Sequence, residues 1–317
     1  MPQTIITDSP AEAAALLNSG CIVAFPTETV YGLGGLITRP DSIERIFAAK
    51  GRPQDNPLIV HVAEPEQIGL VALDPSADAR ILINHFMPGP LTVILKKRPS
   101  VPDSITAGLA NVGVRCPANP LSRALLERAS APVAAPSANR SGLPSATEWS
   151  AVATDLDGRI DAILRGPATT FGLESTIVDC TGKVPLLLRA GSITLETLRS
   201  VLPSVMLPTA AGTEEMVKCP GTKYPHYAPK ASITLYHEGF PEVLPPHAAV
   251  IGTSLPPLPP STLHCHCRTL EDYGHKLFSF FRKCDNAGIT HIFCEFPEEQ
   301  GIGRAIRDRL LRAAGAK

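Results

Sequence analysis

The stretch CIVAFPTETVYGLGG, Cys21–Gly35, decides the fold. Its first part, Cys21–Pro26, is a compact apolar run with β-branched and aromatic side chains, and it reads as a strand. The character then changes abruptly. The strand runs into a turn bearing the hydroxyls of Thr27, Thr29 and Tyr31, and Gly32, Gly34 and Gly35 follow it. Glycines there let the backbone approach a ligand closely. No Gly-Lys-Ser/Thr follows, so this is not a P-loop. Taken alone, the segment is either a polar strand end with a glycine turn or one wall of a ligand site.

Outward from it, residues 10–20 read as a short helix ending at Gly20, and Asp41–Lys50 as a helix stopped by Gly51. Leu58–Val62, Leu91–Leu95, Asn111–Arg115, Pro132–Ala135, Ala162–Leu164, Ser175–Asp179 and Leu186–Arg189 are predicted strands. Pro75–Phe86, ended by Pro88-Gly89-Pro90, and Leu121–Ser130 are predicted helices. The elements mix without strict βαβ alternation. The expected class is therefore α/β, a twisted mixed β-sheet with packed helices rather than a doubly wound fold. After Leu202 the composition shifts. CPGTKYPHYAP, Cys219–Pro229, reads as an extended ordered segment. Strands at Ile233–Tyr236, Ala248–Ile251 and His291–Phe296, with helices at Leu270–Ala287 and Ile302–Ala314, form a small Rossmann-like α/β unit. The expected division is a catalytic domain over 1–208, an ordered linker or lid over 209–231, and the small C-terminal α/β domain over 232–317.

Formal net charge is −1, spread over both halves, so neither is a basic nucleic-acid platform. Any contact with RNA would be weak and rest on a local cluster. No run approaches the roughly 18 apolar residues of a membrane span. Met1–Pro10 lacks the pattern of a secretory signal, so the expectation is a cytoplasmic protein with reduced, mostly buried thiols. His264-Cys265-His266-Cys267 is rich in metal ligands. On a strand its alternation would put the two His and the two Cys on opposite faces, where a tetrahedral site is difficult to close. No metal site is expected.

Four further constellations carry chemistry. Lys50 and Arg52, at a helix end before Pro53, form a focused cationic spot suited to phosphates or, equally, a solvated helix C-terminus. His61 and Arg115 stand in apolar strands. His61 is either a core residue or a ligand contact. Arg115 needs an anion, either a protein carboxylate or a ligand's. APSANRSG, Ala135–Gly142, with Ser145 behind it, reads alone as an ordinary turn or, in a site, as a polar, backbone-rich cradle, and GLESTIVD, Gly172–Asp179, is followed by Arg189. No GxSxG, HExxH or Cys/His nucleophile pattern occurs. Hydroxyls, backbone groups and a few cations orient substrates and stabilise phosphate charge without a covalent intermediate.

Together PTETVYGLG (26–34), KGRPQDNPLIVH (50–61), PGPLTVIL (88–95), VGVRCP (112–117), APSANRSG (135–142), ESTIVD (174–179) and LLLRAGSI (186–193) resemble the YrdC-like threonylcarbamoyl-AMP synthases. CPGTKYPHYAP resembles the linker of the family's long form, which has an extra C-terminal domain. The resemblance implies that L-threonine, bicarbonate and ATP, with Mg2+, yield threonylcarbamoyl-AMP and pyrophosphate. A separate transferase would then pass the group to tRNA. It also implies a threonine site of Thr29, His61, Arg115, Ala135 and Ser175. The ATP site would comprise Lys50, Arg52, Asn56, Asn111, Ser137, Asn139, Ser145, Arg189 and Tyr227, with Lys50 and Arg52 catalytic. Asn111 stands where the family usually has threonine. Cys219, Thr222 and Pro225 replace the linker's usual Ser, Met and Arg, removing one cation from the lid. The C-terminal domain is expected mainly to anchor that lid. Two other readings share the fold: a non-catalytic RNA-binding module, and a carbamoyl-adenylating maturation factor, whose zinc-finger and acylphosphatase-like regions are not visible in this sequence.

Overall fold

The computed structural model describes residues 3–208, 227–237, 240–241 and 243–315. The apolar runs of the first part form ten strands: β1 (Ile5–Thr7), β2 (Val23–Phe25), β3 (Gly32–Leu36), β4 (Ile59–His61), β5 (Leu91–Lys96), β6 (Asn111–Arg115), β7 (Val133–Ala135), β8 (Ala162–Leu164), β9 (Thr176–Asp179) and β10 (Leu186–Arg189). They pair in one sheet in the order β1-β8-β2-β3-β7-β4-β6-β5-β9-β10. Parallel pairs such as β4 with β6 occur alongside antiparallel ones such as β3 with β7, giving the expected mixed sheet. Helices α1 (Pro10–Asn18), α2 (Pro40–Lys50), α3 (Ala77–Phe86), α4 (Asp103–Thr106), α5 (Pro120–Arg128), α6 (Trp149–Leu156) and α7 (Leu195–Val201) accompany it.

Both faces of the sheet are covered, which is why its strands read as continuous apolar runs. Ile22 and Ala24 join one core cluster with Ile43, Ile46 and Val60. Val23 and Phe25, pointing the other way, join a second with Leu17 of α1 and Leu125 of α5. Local chemistry sets the helix ends near the site. Pro40 starts α2, and Gly51 ends it in the left-handed conformation, φ 61°. That turn puts Lys50 inside the helix and Arg52 just beyond it.

The second sheet is wholly parallel: β11 (Ser232–Tyr236), β12 (Ala248–Gly252), β13 (Leu263–His266) and β14 (His291–Glu295), in the order β11-β14-β12-β13. It carries α8 (Leu270–Asn286), capped by Thr269, and α9 (Gly303–Ala313). Its core is continuous with the first domain: Val30 and Leu173 cluster with Tyr227, Phe278, Ile306 and Leu310. At the seam, Gly172 has φ 71°, and a β-carbon there would lie 2.4 Å from the carbonyl oxygen of His275. Only glycine lets α8 rest so closely against the first domain.

Six elements depart from the sequence reading: β1, β3, β13, α4, α6 and α7. The chain bends at 28–30 as expected, and the glycines after it form strand β3, where Gly34 lies against neighbours that leave no room for a side chain: a β-carbon would stand 2.7 Å from Val133 Cγ1 and 2.8 Å from the Phe25 ring. β1 and β13 were not anticipated; both are short, and β1 leaves Ile5 and Ile6 exposed. β13 does alternate His264 and His266 outward. Among the described residues no cluster of three or more His, Cys, Asp and Glu could hold a metal ion, and no helix is long and apolar enough to cross a membrane. Most of the predicted lid, 209–226, lies outside the described residues.

Candidate active site

The polar end of β2 and the start of β3 form one wall of a cleft. Thr27, Thr29 and Tyr31 line it together with Arg52, His61, Arg115, Ala135, Ser137, Glu174, Ser175, Arg189 and Tyr227. Segments far apart in the chain meet because β7 and β6 flank β4, with His61 paired to both Val133 and Arg115.

Arg115 is buried and held on three sides. Its Nη1 donates to Thr29 Oγ1 at 2.7 Å, its Nη2 to Glu28 Oε1 at 2.6 Å, and its Nε to the carbonyl of Gly89 at 3.4 Å. Glu28 in turn accepts the backbone N–H groups of Ala118 and Asn119. The anion that Arg115 requires is thus a protein carboxylate, which fixes the guanidinium at the cleft wall. Thr29 bonds Thr27 at 2.8 Å, and Ser175 Oγ lies 2.8 Å from Thr92 Oγ1. His61 Nδ1 is 3.2 Å from the Ile59 carbonyl, with the ring edge-on to Phe25. Burial, helped by the charge of Arg115, pushes His61 down to about 3, so its imidazole is neutral at ordinary pH.

The other half is cationic. Arg52 donates to the carbonyls of Asn56 and Pro57, and Arg189 to the carbonyl and hydroxyl of Ser175. Burial brings Arg52 down to about 10; Tyr227 opposes this and Arg189 adds to it. Lys50 does not line the cleft. Its Nζ donates to the carbonyls of Ser137 and Asn139, so it holds the 137–139 cradle from behind. Burial, with the charge of Arg52, moves Lys50 well below the ordinary lysine range, against Asp155. Asn139 Nδ2 closes its own loop onto Arg140 and Leu143 carbonyls. Ser145 donates to Glu174 at 2.5 Å. Burial would raise Glu174, but Arg309 and Arg189 hold it below the usual carboxylate range.

Thus Thr29, Arg52, His61, Arg115, Ala135, Ser137, Ser175, Arg189 and Tyr227 share one cleft, while Lys50, Asn56, Asn139 and Ser145 stand behind it. Asn111 sits at the far end of β6, in a small cavity with Thr92, Thr106 and Ile177 that adjoins the cleft through Pro57 and Ile59. Sequence reasoning missed Glu28, Glu174 and Arg309. Arg309 had a legible signal: it falls on the apolar stripe Ala305, Ile306, Leu310 and Ala313 of α9.

Residues 15–191 match the family described as Telomere recombination, and residues 193–315 the one described as Threonylcarbamoyl-AMP synthase, C-terminal domain. The threonylcarbamoyl-AMP synthase of Pyrococcus abyssi is 40% identical over 319 residues, covering 96% of this chain and 93% of that protein. The chain belongs to the threonylcarbamoyl-AMP synthase family. The Bacillus subtilis threonylcarbamoyl-AMP synthase is 39% identical over 97% of this chain and 93% of its own length. A crystal structure of P. abyssi Sua5 complexed with L-threonine is similar over 99% of this chain and 97% of that one, with a TM-score of 0.88 and 36% identity.

Proposed function

We propose that this cleft adenylates the carbamate of L-threonine: L-threonine, bicarbonate and ATP give threonylcarbamoyl-AMP, pyrophosphate and water. The observation that carries the reading is that one cleft gathers two sets of groups, which we assign to the two substrates. One offers Arg115, hydroxyls and a neutral imidazole, and the other Arg52, Arg189 and the 137–139 cradle. The similarity to a structure complexed with L-threonine supports it further.

A carbamate oxygen attacks the α-phosphorus, and the bond to pyrophosphate breaks. Both reactants are anions, so cations and oriented donors are the protein's main contribution. In this reading Arg115 and Thr29 take the amino-acid carboxylate, with Ser175 and the Ala135 backbone beside it. A neutral His61 adds no charge to compete for it. Arg52 and Arg189 face the phosphates, Lys50 keeps the Ser137–Asn139 loop in place, and Tyr227 closes the cleft from the linker side. The carboxylates at the cleft are already engaged, Glu28 by Arg115 and Glu174 by Arg309 and Ser145. Mg2+ would accordingly enter on the triphosphate as part of the ATP substrate. The product is a labile mixed anhydride made in the cytoplasm, and a separate transferase would carry its threonylcarbamoyl group to tRNA.

Pyrophosphate release tests this directly. Purified protein with ATP and bicarbonate should release pyrophosphate only when L-threonine is added. Carbamoyl phosphate in place of threonine should give none. Release driven by carbamoyl phosphate, or salt-dependent RNA binding without any release, would replace the proposal with one of the other readings.

A further inference from the structure

Two arginines of the second domain cross the seam, one ending on Glu174 of the cleft lining and the other on Asp155 behind it. Arg309, on α9, is 0% exposed. Its Nε donates to Glu174 Oε2 at 2.9 Å, its Nη2 to the Ala190 carbonyl at 3.0 Å, and its Nη1 to Asp308 Oδ2 at 2.7 Å. Its guanidinium carbon stands 5.6 Å from the centre of the Tyr227 ring. Arg282, on α8, grips Asp155 with two parallel bonds of 3.0 and 2.8 Å and also donates to the carbonyl of Pro144.

The receiving carboxylates belong to the site's architecture. Glu174 lines the cleft, accepts from Ser145 and lies in the field of Arg189. Asp155 accepts the backbone N–H of Arg140, in the loop that Lys50 braces, and its charge acts on Lys50. A fully buried arginine on an apolar helix stripe is unfavourable unless it meets an anion. The converse also holds: without Arg309 and Arg282, two buried carboxylates would be left to draw on the site's own cations, Arg189 and Lys50.

We infer that Arg309 and Arg282 are positioning residues for the nucleotide half, neutralising Glu174 and Asp155 so that the field at the cleft stays positive toward a triphosphate. The C-terminal domain is then an electrostatic part of the site as well as the anchor of the linker. This rests on the ATP-dependent reading proposed above.

Calorimetry of the full chain with ATP and with L-threonine, separately, tests it. Arg309→Met should weaken ATP binding about tenfold and threonine binding less than about twofold. Adding Glu174→Gln removes the stranded charge but keeps the acceptor for Ser145, and ATP affinity should return to within about threefold of the wild type. A packing role predicts no such rescue. Should Arg309→Met not fold, Arg282→Gln alone and with Asp155→Asn carries the same comparison at a less buried pair. Wild-type ATP affinity in the single variants, or double variants no better than the singles, overturns the inference while leaving the proposed function intact. A wild-type protein that binds no ATP overturns both.

Discussion

At the scale of single residues, Arg115 and Glu28 show why a buried arginine can serve fold and ligand together. Arg115→Ala would leave Glu28 buried with only backbone donors, costing about 3–5 kcal/mol. In Arg115→Ala/Glu28→Gln the thermal stability should largely return, yet L-threonine binding by calorimetry should stay absent. Recovery of threonine binding in the double variant would reduce Arg115 to a structural role. Lys50 and Arg52 should each lower threonine-dependent pyrophosphate release when changed to alanine, by on the order of 2–4 kcal/mol in the barrier. Lys50 acts through the carbonyls of Ser137 and Asn139, and Arg52 from the cleft wall itself. His61 sets a pH signature. The unfolded chain protonates this imidazole near the ordinary 6.5, the folded chain only near 3. Between those values the unfolded state binds more protons, so stability falls as pH drops and is unaffected by His61 above the window. Glu174 weakens the fold in the same direction but only at carboxylate pH. From pH 6 to 5, therefore, the wild type should lose up to about 1.4 kcal/mol per pH unit that His61→Asn does not lose, measured by urea unfolding.

At the scale of elements, β3 makes the site possible. It pairs with β2 on one side and β7 on the other, and so brings the hydroxyl-bearing segment 27–31 against the cradle that follows Ala135. That closeness depends on Gly34, which lies between Val133 and Phe25. Gly34→Ala should overpack this junction and cost about 1–3 kcal/mol of stability in urea. Val133→Ala in the same chain should return part of the loss, although alone it leaves a small cavity. Additive losses in the two would mean that the strain lies elsewhere. α2 contributes differently: its left-handed stop at Gly51 turns the chain within one residue, so Lys50 points to the loop behind while Arg52 reaches the cleft.

At the scale of the whole molecule, the seam between the domains and the cleft are one structure. Val30 follows Thr29 of the cleft and Leu173 precedes Glu174, and both pack in the second domain's core with Tyr227, whose ring stacks on Phe278 at 5.1 Å. The expectation that the C-terminal domain mainly anchors a lid is too narrow, because its helices reach the cleft's own walls. Gly172 offers a test without touching any cleft residue. Gly172→Ala places a methyl group against the His275 carbonyl in a left-handed backbone, a strain of about 1–3 kcal/mol. The expected result is a lower melting temperature, with ATP binding weakened more than threonine binding. Loss of stability with both affinities unchanged would show that the domains can separate slightly without disturbing the site.

Most strand runs of the first domain could be read from the sequence because the sheet is buried on both faces and needs unbroken apolar residues there, whereas short, exposed β1 and glycine-rich β3 could not. Lys50, Arg52, Ser137, Asn139 and Arg115 stood out through the family resemblance, since the chemistry of each residue alone left a structural use open. The sequence by itself determined those elements and the chemical inventory of the cleft. Only the tertiary structure decided which anion meets Arg115, that Lys50 braces a loop rather than lining the cleft, that Asn111 falls at the far end of its strand, and that α9 delivers Arg309 to Glu174. The physical reason is range. Local propensity and hydrophobic period act over a few residues, whereas these partners stand between 87 and 135 residues apart in the chain and meet only when the sheet order and the domain seam are set.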